Sequence, residues 1–518
     1  MKSPSGMPAS RCICYEDPKW FVNAHLQDLD GDWPMFYLDD LSSKEAMISR
    51  AEWYFDQLFT DTAVTDVMLC AFEQVSYIAS DTVEWIHEKM AQRVRNNGHI
   101  PSGYKSLTVR GYDLYNALTA YGVDWYQLAI DYCKGAGVRP WTYLRMNDHH
   151  CIEHADSLFH DAFWHKARAN GWLIGNEKIY GKNVANAYDF AHKEVRDWML
   201  TYIREVTRKY DTFGLQLDFM RDIFCFDYLH NPNKVEIMNG FIRDVAAIVK
   251  EAEVIHGHDM KLMIRLGVDV KHNLVYGFDV AQWAKEGIID AVVPSPRWWA
   301  TDSGIPIADW VEVVGDNVAI FPGFEYCLMD PVKINDTQVK GIAAGYMAQG
   351  AHGMYFNNFY QLGDAGVRDV HLLNPGKVAE GPRTYVMTYQ DQVPIGQTGY
   401  RPLPIHLRGG TTFTVHMGPV RTTESITLSI GYNLGILKQP PWEITLNGIA
   451  PVEAKKVAIN PDSIAGYYIT RKNKKSKAKI LVQYTFQNLS TEDVLEISIP
   501  AAEATAVSLE INVNPNGT

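Results

Sequence analysis

Eight short, largely apolar runs recur over the first three quarters of the 518-residue chain, most of them followed by a segment of helical periodicity. They read "RCICYE" from Arg11, "VTDVMLCAF" from Val64, "RPWTYLRM" from Arg139 and "FGLQLDF" from Phe213. Four more are "KLMIRLG" from Lys261, "IDAVVPS" from Ile289, "VAIFPGF" from Val318 and "GMYFNN" from Gly353. Short, mostly apolar runs suit parallel strands whose sheet is covered by helices on both faces. Between them, "KEAMISRAEWYFDQLF" opens after Ser42-Ser43, a capping signal. "HKEVRDWMLTYIREVTRKY" sets Val195, Trp198, Met199, Tyr202 and Val206 at helical spacing and ends in basic residues that suit the helix dipole. "KVEIMNGFIRDVAAIVKEAEVI" and "DTQVKGIAAGYMAQG" repeat the pattern, the second closing on Gly350. This alternation predicts an α/β fold, a (β/α)8 TIM barrel with long inserted loops over residues 1–385. Much of the inserted length falls between the second and third strands.

From about Thr384 the helical period gives way to strand-like runs, among them "TTFTVHMG", "SITLSIGY", "AKILVQYTF", "DVLEISI" and "AVSLEINV". Their spacing predicts a C-terminal antiparallel β-sandwich over residues 386–518. The basic stretch "RKNKKSKAK" from Arg471 reads as a solvated hairpin turn.

Composition narrows the class. Hydrophobic residues make up 47% and charged residues 21%, as in a soluble globular protein. A net charge of −13 argues against a nucleic-acid backbone or an anionic membrane as partner. No run approaches the roughly 20 apolar residues of a membrane span, and "MKSPSGMPAS" lacks an apolar signal core. Seven cysteines are few and odd in number; Cys12, Cys14, Cys70 and Cys225 sit in apolar runs and are expected as buried free thiols. A cytoplasmic location follows, unless a leader was removed.

Active sites of such barrels lie at the C-terminal ends of the strands. Those ends carry Glu16-Asp17, Glu73, the stretch "LRMNDHHCIEH" from Leu144, Asp218 with Arg221, Arg265, Arg297 with Trp298 and Trp299, Glu325, and Asn357-Asn358. Four arginines (Arg145, Arg221, Arg265, Arg297) on one face of an acidic protein suit capture of a carboxylate or phosphate, though each alone could be a structural ion pair. Carboxylates, histidines and aromatics on that same face are the equipment of glycoside hydrolysis.

"LRMNDHHCIEH" admits three readings. His150 and His154, four apart with Glu153 between them, could hold zinc only on a helix, whereas the context is a strand end entering a loop; no metal or cofactor is expected. A solvated polar loop is the second. In the third, Arg145 grips an anion while a histidine moves a proton, work that suits a side chain with an ordinary pKa near 6.5.

"RMNDHH" after strand three, "GLQLDFMRD" at strand four and "NAYDFAHKEVRDW" before it resemble the family-10-like glycoside hydrolase barrels and the inverting exo-sialidases of glycoside hydrolase family 156. The resemblance covers most of the barrel in architecture and rests on these short motifs. It implies His150, five residues after Arg145, as general acid, and Asp17 as general base, with Asp39 and Asp40 of the following insertion as alternatives. It also implies Arg145 and Arg221 as the clamp on the sugar carboxylate, Asn358 or Asn357 as a substrate contact, an anionic sugar as substrate, and a homodimer. Asn147, Asp148 and His149 are expected to shape the loop or touch the sugar. Two rival expectations stand beside this one: a retaining glycosidase using Asp218 and Glu325, and a carbohydrate-binding barrel without catalysis. Asp218 could equally serve to hold Arg221 or Arg265.

Overall fold

The computed structural model describes residues 11–16, 43–59, 62–85, 120–149, 159–220, 222–297, 300–325, 327–329, 332–357, 375–388, 393–399, 403–434, 439–466, 468–469 and 475–515, with positions 89, 152 and 157. The strands of the first three quarters are β1 (Arg11–Glu16), β2 (Asp66–Glu73), β3 (Arg139–Arg145), β4 (Gly214–Asp218), β5 (Lys261–Gly267) and β6 (Ala291–Ser295). β7 (Ala319–Ile320), β8 (Gly323–Glu325), β9 (Cys327–Met329), β10 (Val332–Lys333) and β11 (Gly353–Asn357) follow. All eight apolar runs therefore form strands. Nine segments make one parallel sheet in the order β7-β6-β5-β4-β3-β2-β1-β11-β8, while β9 and β10 pair antiparallel apart from it. Every residue of β2, β4, β6 and β11 is buried, as a sheet covered on both faces requires.

Where the sequence reads one seventh strand, the chain makes two. Pro322 has no N–H to give, so regular pairing stops there. β7 pairs with β6 and β8 pairs with β11. The backbone N–H of Phe321 donates to Val292 O at 3.0 Å, and that of Tyr355 donates to Pro322 O at 3.0 Å. The two outer members of the sheet are thus consecutive in the chain, separated only by Phe321 and Pro322.

The expected helices form at Lys44–Phe59, Lys193–Lys209, Lys234–His256 and Asp336–Ala348. Ser43 Oγ accepts from Ala46 N at 3.1 Å and caps the first. Val195, Met199, Tyr202, Ile203 and Val206 form the buried stripe of the second, and the Tyr202 hydroxyl donates to Ala71 O of β2 at 2.8 Å. Asn335 and Gln338 cap the fourth reciprocally. Two glycines permit close packing that no side chain would. A Cβ at Gly214 would lie 2.3 Å from Lys261 O, and one at Gly341 would lie 2.3 Å from Thr384 O, where the last of these helices meets the C-terminal region.

That region comprises β12 (Arg383–Met387), β13 (Ile405–His406), β14 (Thr411–His416), β15 (Glu424–Leu434), β16 (Thr445–Leu446) and β17 (Glu453–Val457). β18 (Tyr468–Ile469), β19 (Lys475–Ser476), β20 (Ile480–Phe486), β21 (Val494–Ile499) and β22 (Ala504–Pro515) complete it. One antiparallel sheet runs β12-β22-β15-β20-β17 with β13 also on β22, and a smaller one runs β14-β21-β16. Alternate residues Val482, Tyr484 and Phe486 of the larger sheet share a core with Leu495, Ile497 and Ile499 of the smaller. β18 and β19 pair antiparallel, so the basic stretch joins a short hairpin; its residues 471–474 lie outside the described residues. The expected division after residue 385 falls inside β12. Val386, Ala465, Ala478 and Val507 pack into the hydrophobic cluster of the parallel sheet, which fastens the two regions together.

Among the described residues, Cys70, Cys133, Cys225 and Cys327 are buried, as expected for Cys70 and Cys225. The side chains of Cys12 and Cys14 lie outside the description. No described helix is long and apolar enough to cross a membrane.

Candidate active site

Parallel pairing brings every strand's C-terminal end to one side of the sheet, and those of the sequence-expected residues that are described gather there. Arg145, Asp218 and Arg265 are successive register partners on β3, β4 and β5. Glu73 on β2 is the partner of Arg145 on its other side, and Asn357 on β11 that of Glu325 on β8. Arg145, Asn147, Asp148, His149, Asp218, Arg265, Glu325 and Asn357 are all buried. Asp17, His150, Arg221 and Asn358 lie outside the described residues, as do Asp39, Asp40, Glu153, His154, Trp298 and Trp299.

Arg265 organises one half of the floor. Its Nη1 donates to Asp218 Oδ2 at 2.9 Å and to Asn357 Oδ1 at 3.3 Å. Its Nη2 donates to Glu325 Oε1 at 3.0 Å and to Ser295 Oγ at 2.9 Å. Asn357 Nδ2 donates to Glu325 Oε1 at 2.7 Å, and Tyr355 lies beneath the guanidinium, its ring centroid 5.6 Å from Cζ. Burial alone would depress the Arg265 pKa, but Asp218 and Glu325 outweigh it and raise it above its ordinary value. Tyr143 donates its hydroxyl to Asp218; burial first, then the Asp218 charge, pushes this phenol well above its ordinary range. The phenol therefore stays a donor at any physiological pH.

Arg145 organises the other half. It pairs with Glu73, bonds Asp148 Oδ2 at 3.0 Å, and its Nε donates to the Tyr143 hydroxyl at 3.3 Å. Tyr77 donates to Glu73 Oε2 at 2.7 Å. Gln74, held at a positive φ of 69°, donates to Asn147 Oδ1 at 3.2 Å and Asp148 O at 2.6 Å, tying the end of β2 to the loop after β3. Asn147 in turn donates to Tyr188 O at 3.0 Å and Phe224 O at 2.6 Å. His149 Nδ1 lies 3.4 Å from Asp222 Oδ2, while Arg297 Nη2 donates to Asp222 Oδ1 at 2.9 Å.

Three arginines are thus interleaved with five carboxylates (Glu73, Asp148, Asp218, Asp222 and Glu325). The ion-pair role that the sequence allowed each arginine is realised for Arg145, Arg265 and Arg297. Such an array orients a guanidinium or carboxylate for a ligand and stabilises each charge away from water. Tyr143, Gln74, Tyr77, Asp222 and Ser295 escaped the sequence reading. Tyr143 had a signal, since it stands two residues before Arg145 and so shares its face of β3. Among the described residues, no group of three or more His, Cys, Asp or Glu could hold a metal ion.

No protein-family model matches this chain, and no curated protein matches it either. Among solved structures it is similar to α-L-fucosidase isoenzyme 2 from Paenibacillus thiaminolyticus, with a TM-score of 0.37 and 14% identity over 63% of this chain. That match spans 45% of the fucosidase, less than half its length. It is also similar to the glycoside hydrolase domain of PgaB (BpsB) from Bordetella bronchiseptica, with a TM-score of 0.40 and 12% identity, covering 67% of this chain and 94% of that one. Glycoside hydrolases recur among these structural neighbours. Likeness of this degree also extends to tryptophan synthase from M. tuberculosis, with a TM-score of 0.28 and 11% identity over 71% of this chain and 90% of that one.

Proposed function

We propose that this chain is a glycoside hydrolase that releases a terminal acidic sugar with inversion, as an exo-sialidase does. In this reading the parallel sheet closes as a (β/α)8 barrel within residues 1–385, and residues 386–518 form its accessory sandwich. Support for closure comes from Tyr355 of β11, whose hydroxyl reaches Gln216 of β4 at 3.0 Å across the sheet interior. The observation that carries the function is the fixing of Arg145 by Glu73, Asp148 and the Tyr143 hydroxyl at the end of β3, five residues before His150. A guanidinium held on one side by carboxylates is oriented in advance for a sugar carboxylate.

The sugar carboxylate lies between Arg145 and Arg221, with Asn357 and Asn358 beside the ring. His150 gives its proton to the glycosidic oxygen as that C–O bond breaks. Water attacks the anomeric carbon from the opposite face and passes its proton to Asp17. The test is turnover of an aryl sialoside, with proton NMR reporting the anomer released first. Inversion is expected, with rates falling about 10²–10⁴-fold in His150→Ala and in Asp17→Ala. Unchanged rates in either variant sink that residue's role.

A second reading draws on Asp218 and Glu325, which sit on the two arms of Arg265. It makes them the carboxylates of a retaining glycosidase, and retention in the same NMR experiment would select it.

A further inference from the structure

On the rim beside His149, the loop after β4 and the segment before the Lys193–Lys209 helix build a second polar and aromatic cluster. Phe224 stacks on His149 with ring centroids 6.4 Å apart and planes 22° apart, and its other ring neighbours are Tyr276 at 5.5 Å, Tyr228 at 6.0 Å and Tyr180 at 6.1 Å. Phe224 and Tyr180 are only half-buried. Next to these rings, Asp227 accepts from Tyr180 at 2.6 Å, pairs with His230 Nδ1 at 2.8 Å and accepts from Asn176 Nδ2. The His230 side chain is 59% exposed, so its other ring nitrogen meets solvent. Asn176 is exposed and holds a left-handed φ of 54° while its amide reaches Asp227.

Aromatic faces and fixed polar groups on a half-open surface are what a neutral sugar ring requires. The rings stack on its C–H face, and the amide and imidazole meet its hydroxyls. The cluster touches the candidate active site at two points. Phe224 O accepts the Asn147 amide at 2.6 Å, and the Phe224 ring lies against His149. Phe224 and Tyr180 pack against the core on one side and stay half-open on the other, beside the exposed Asn176 and His230 that flank Asp227.

We propose that Phe224, Tyr180, Asp227, His230 and Asn176 form a subsite for a neutral sugar of the leaving group. The inference rests on the glycosidase reading above and adds that the substrate is an oligosaccharide rather than a simple glycoside. Phe224 and Tyr180 carry the stacking; Asn176 and His230 give the hydrogen bonds, with Asp227 holding them in place.

Two measurements on the full chain test it. Ligand-observed NMR titrations with lactose, N-acetyllactosamine and chitobiose read binding without turnover. The ratio of kcat/KM for sialyllactose to that for sialosyl fluoride, whose leaving group has no sugar, reads the subsite during turnover. We expect at least one disaccharide to bind, and Phe224→Ala and His230→Ala to weaken binding and lower the ratio about tenfold. His230→Ala changes an exposed side chain and guards against a misfolded Phe224→Ala. Failure of the wild type to bind any of the three sugars, or equal binding by wild type and His230→Ala, overturns the subsite. Sugar binding that the variants lose, in a wild type that cleaves neither sialoside, keeps the subsite and overturns the sialidase reading instead.

Discussion

Arg265 and Asp218 are register partners on adjacent strands, and their side chains meet at 2.9 Å with neither reaching solvent. The same guanidinium holds Glu325 on its other arm at 3.0 Å. Two carboxylates at the ends of β4 and β8 are therefore fixed relative to each other by a group from β5.

Replacing this cation strands two buried negative charges. Arg265→Met is expected to destabilise the fold by about 3–5 kcal/mol, and adding Asp218→Asn should recover part of that loss. Urea denaturation of the single and double variants reads both; an unchanged midpoint in Arg265→Met would show that the carboxylates do not depend on it.

Arg145 offers a sharper functional probe. Lysine keeps the charge but loses the planar fork that meets Glu73 and Asp148 together and that, in the proposed function, would also take a sugar carboxylate. Arg145→Lys is expected to lower kcat/KM on an acidic glycoside by about 10²-fold. A loss of equal size on a matched neutral glycoside would contradict the anion-clamp role.

Asp161 gives a prediction in pH. It caps the Ala162–Asn170 helix through Trp164 N at 2.7 Å and accepts from the Tyr188 hydroxyl at 3.3 Å. Burial raises its pKa from 3.8 to about 6, more than the Trp164 N–H and the charge of Lys89 lower it. The folded state thus binds this proton more tightly than the unfolded chain does. Its contribution is complete below pH 3.8 and is lost as pH rises through about 6. Asp161→Asn keeps an acceptor for the cap and should remove a fall of roughly 2–3 kcal/mol between those limits. Denaturation midpoints at pH 4 and pH 7 test it; the same pH slope in wild type and variant would refute the assignment.

Asp302 ties the two regions together. Its Oδ2 accepts from Thr388 N at 3.0 Å and from the Thr388 hydroxyl at 3.3 Å. Asp302→Ala is expected to cost about 1–3 kcal/mol by depriving a buried N–H of its acceptor. A calorimetric scan should then show unfolding broadened or divided relative to wild type, and a melting profile identical to wild type would count against the coupling.

Much of the architecture could be read from the chain because it depends on local patterns. The Lys44–Phe59 and Asp336–Ala348 helices carry their own caps, and each short apolar run became a strand. Glu73, Asp218, Arg265, Glu325 and Asn357 could be placed together in advance because parallel strands all end on one side. Which carboxylate meets which arginine could not. Arg145 takes Glu73 and Asp148, whereas Arg265 takes Asp218 and Glu325, through register and rotamer choices that span up to 72 positions in sequence. The break at Pro322 went unread for a similar reason. A proline in an apolar run signals a lost donor, but not that the two halves will pair with different neighbours.

Three consecutive residues stand at the seam between the regions, and two of them reach across it. Thr301 Oγ1 accepts from Glu325 N at 2.6 Å, Asp302 holds Thr388, and Ser303 Oγ accepts from Val386 N at 3.1 Å. Because neighbouring residues serve opposite sides, one inserted or deleted residue here would hand each partner the wrong side chain. A change of length in this short segment is therefore expected to disturb the end of β8 and the start of the C-terminal region together.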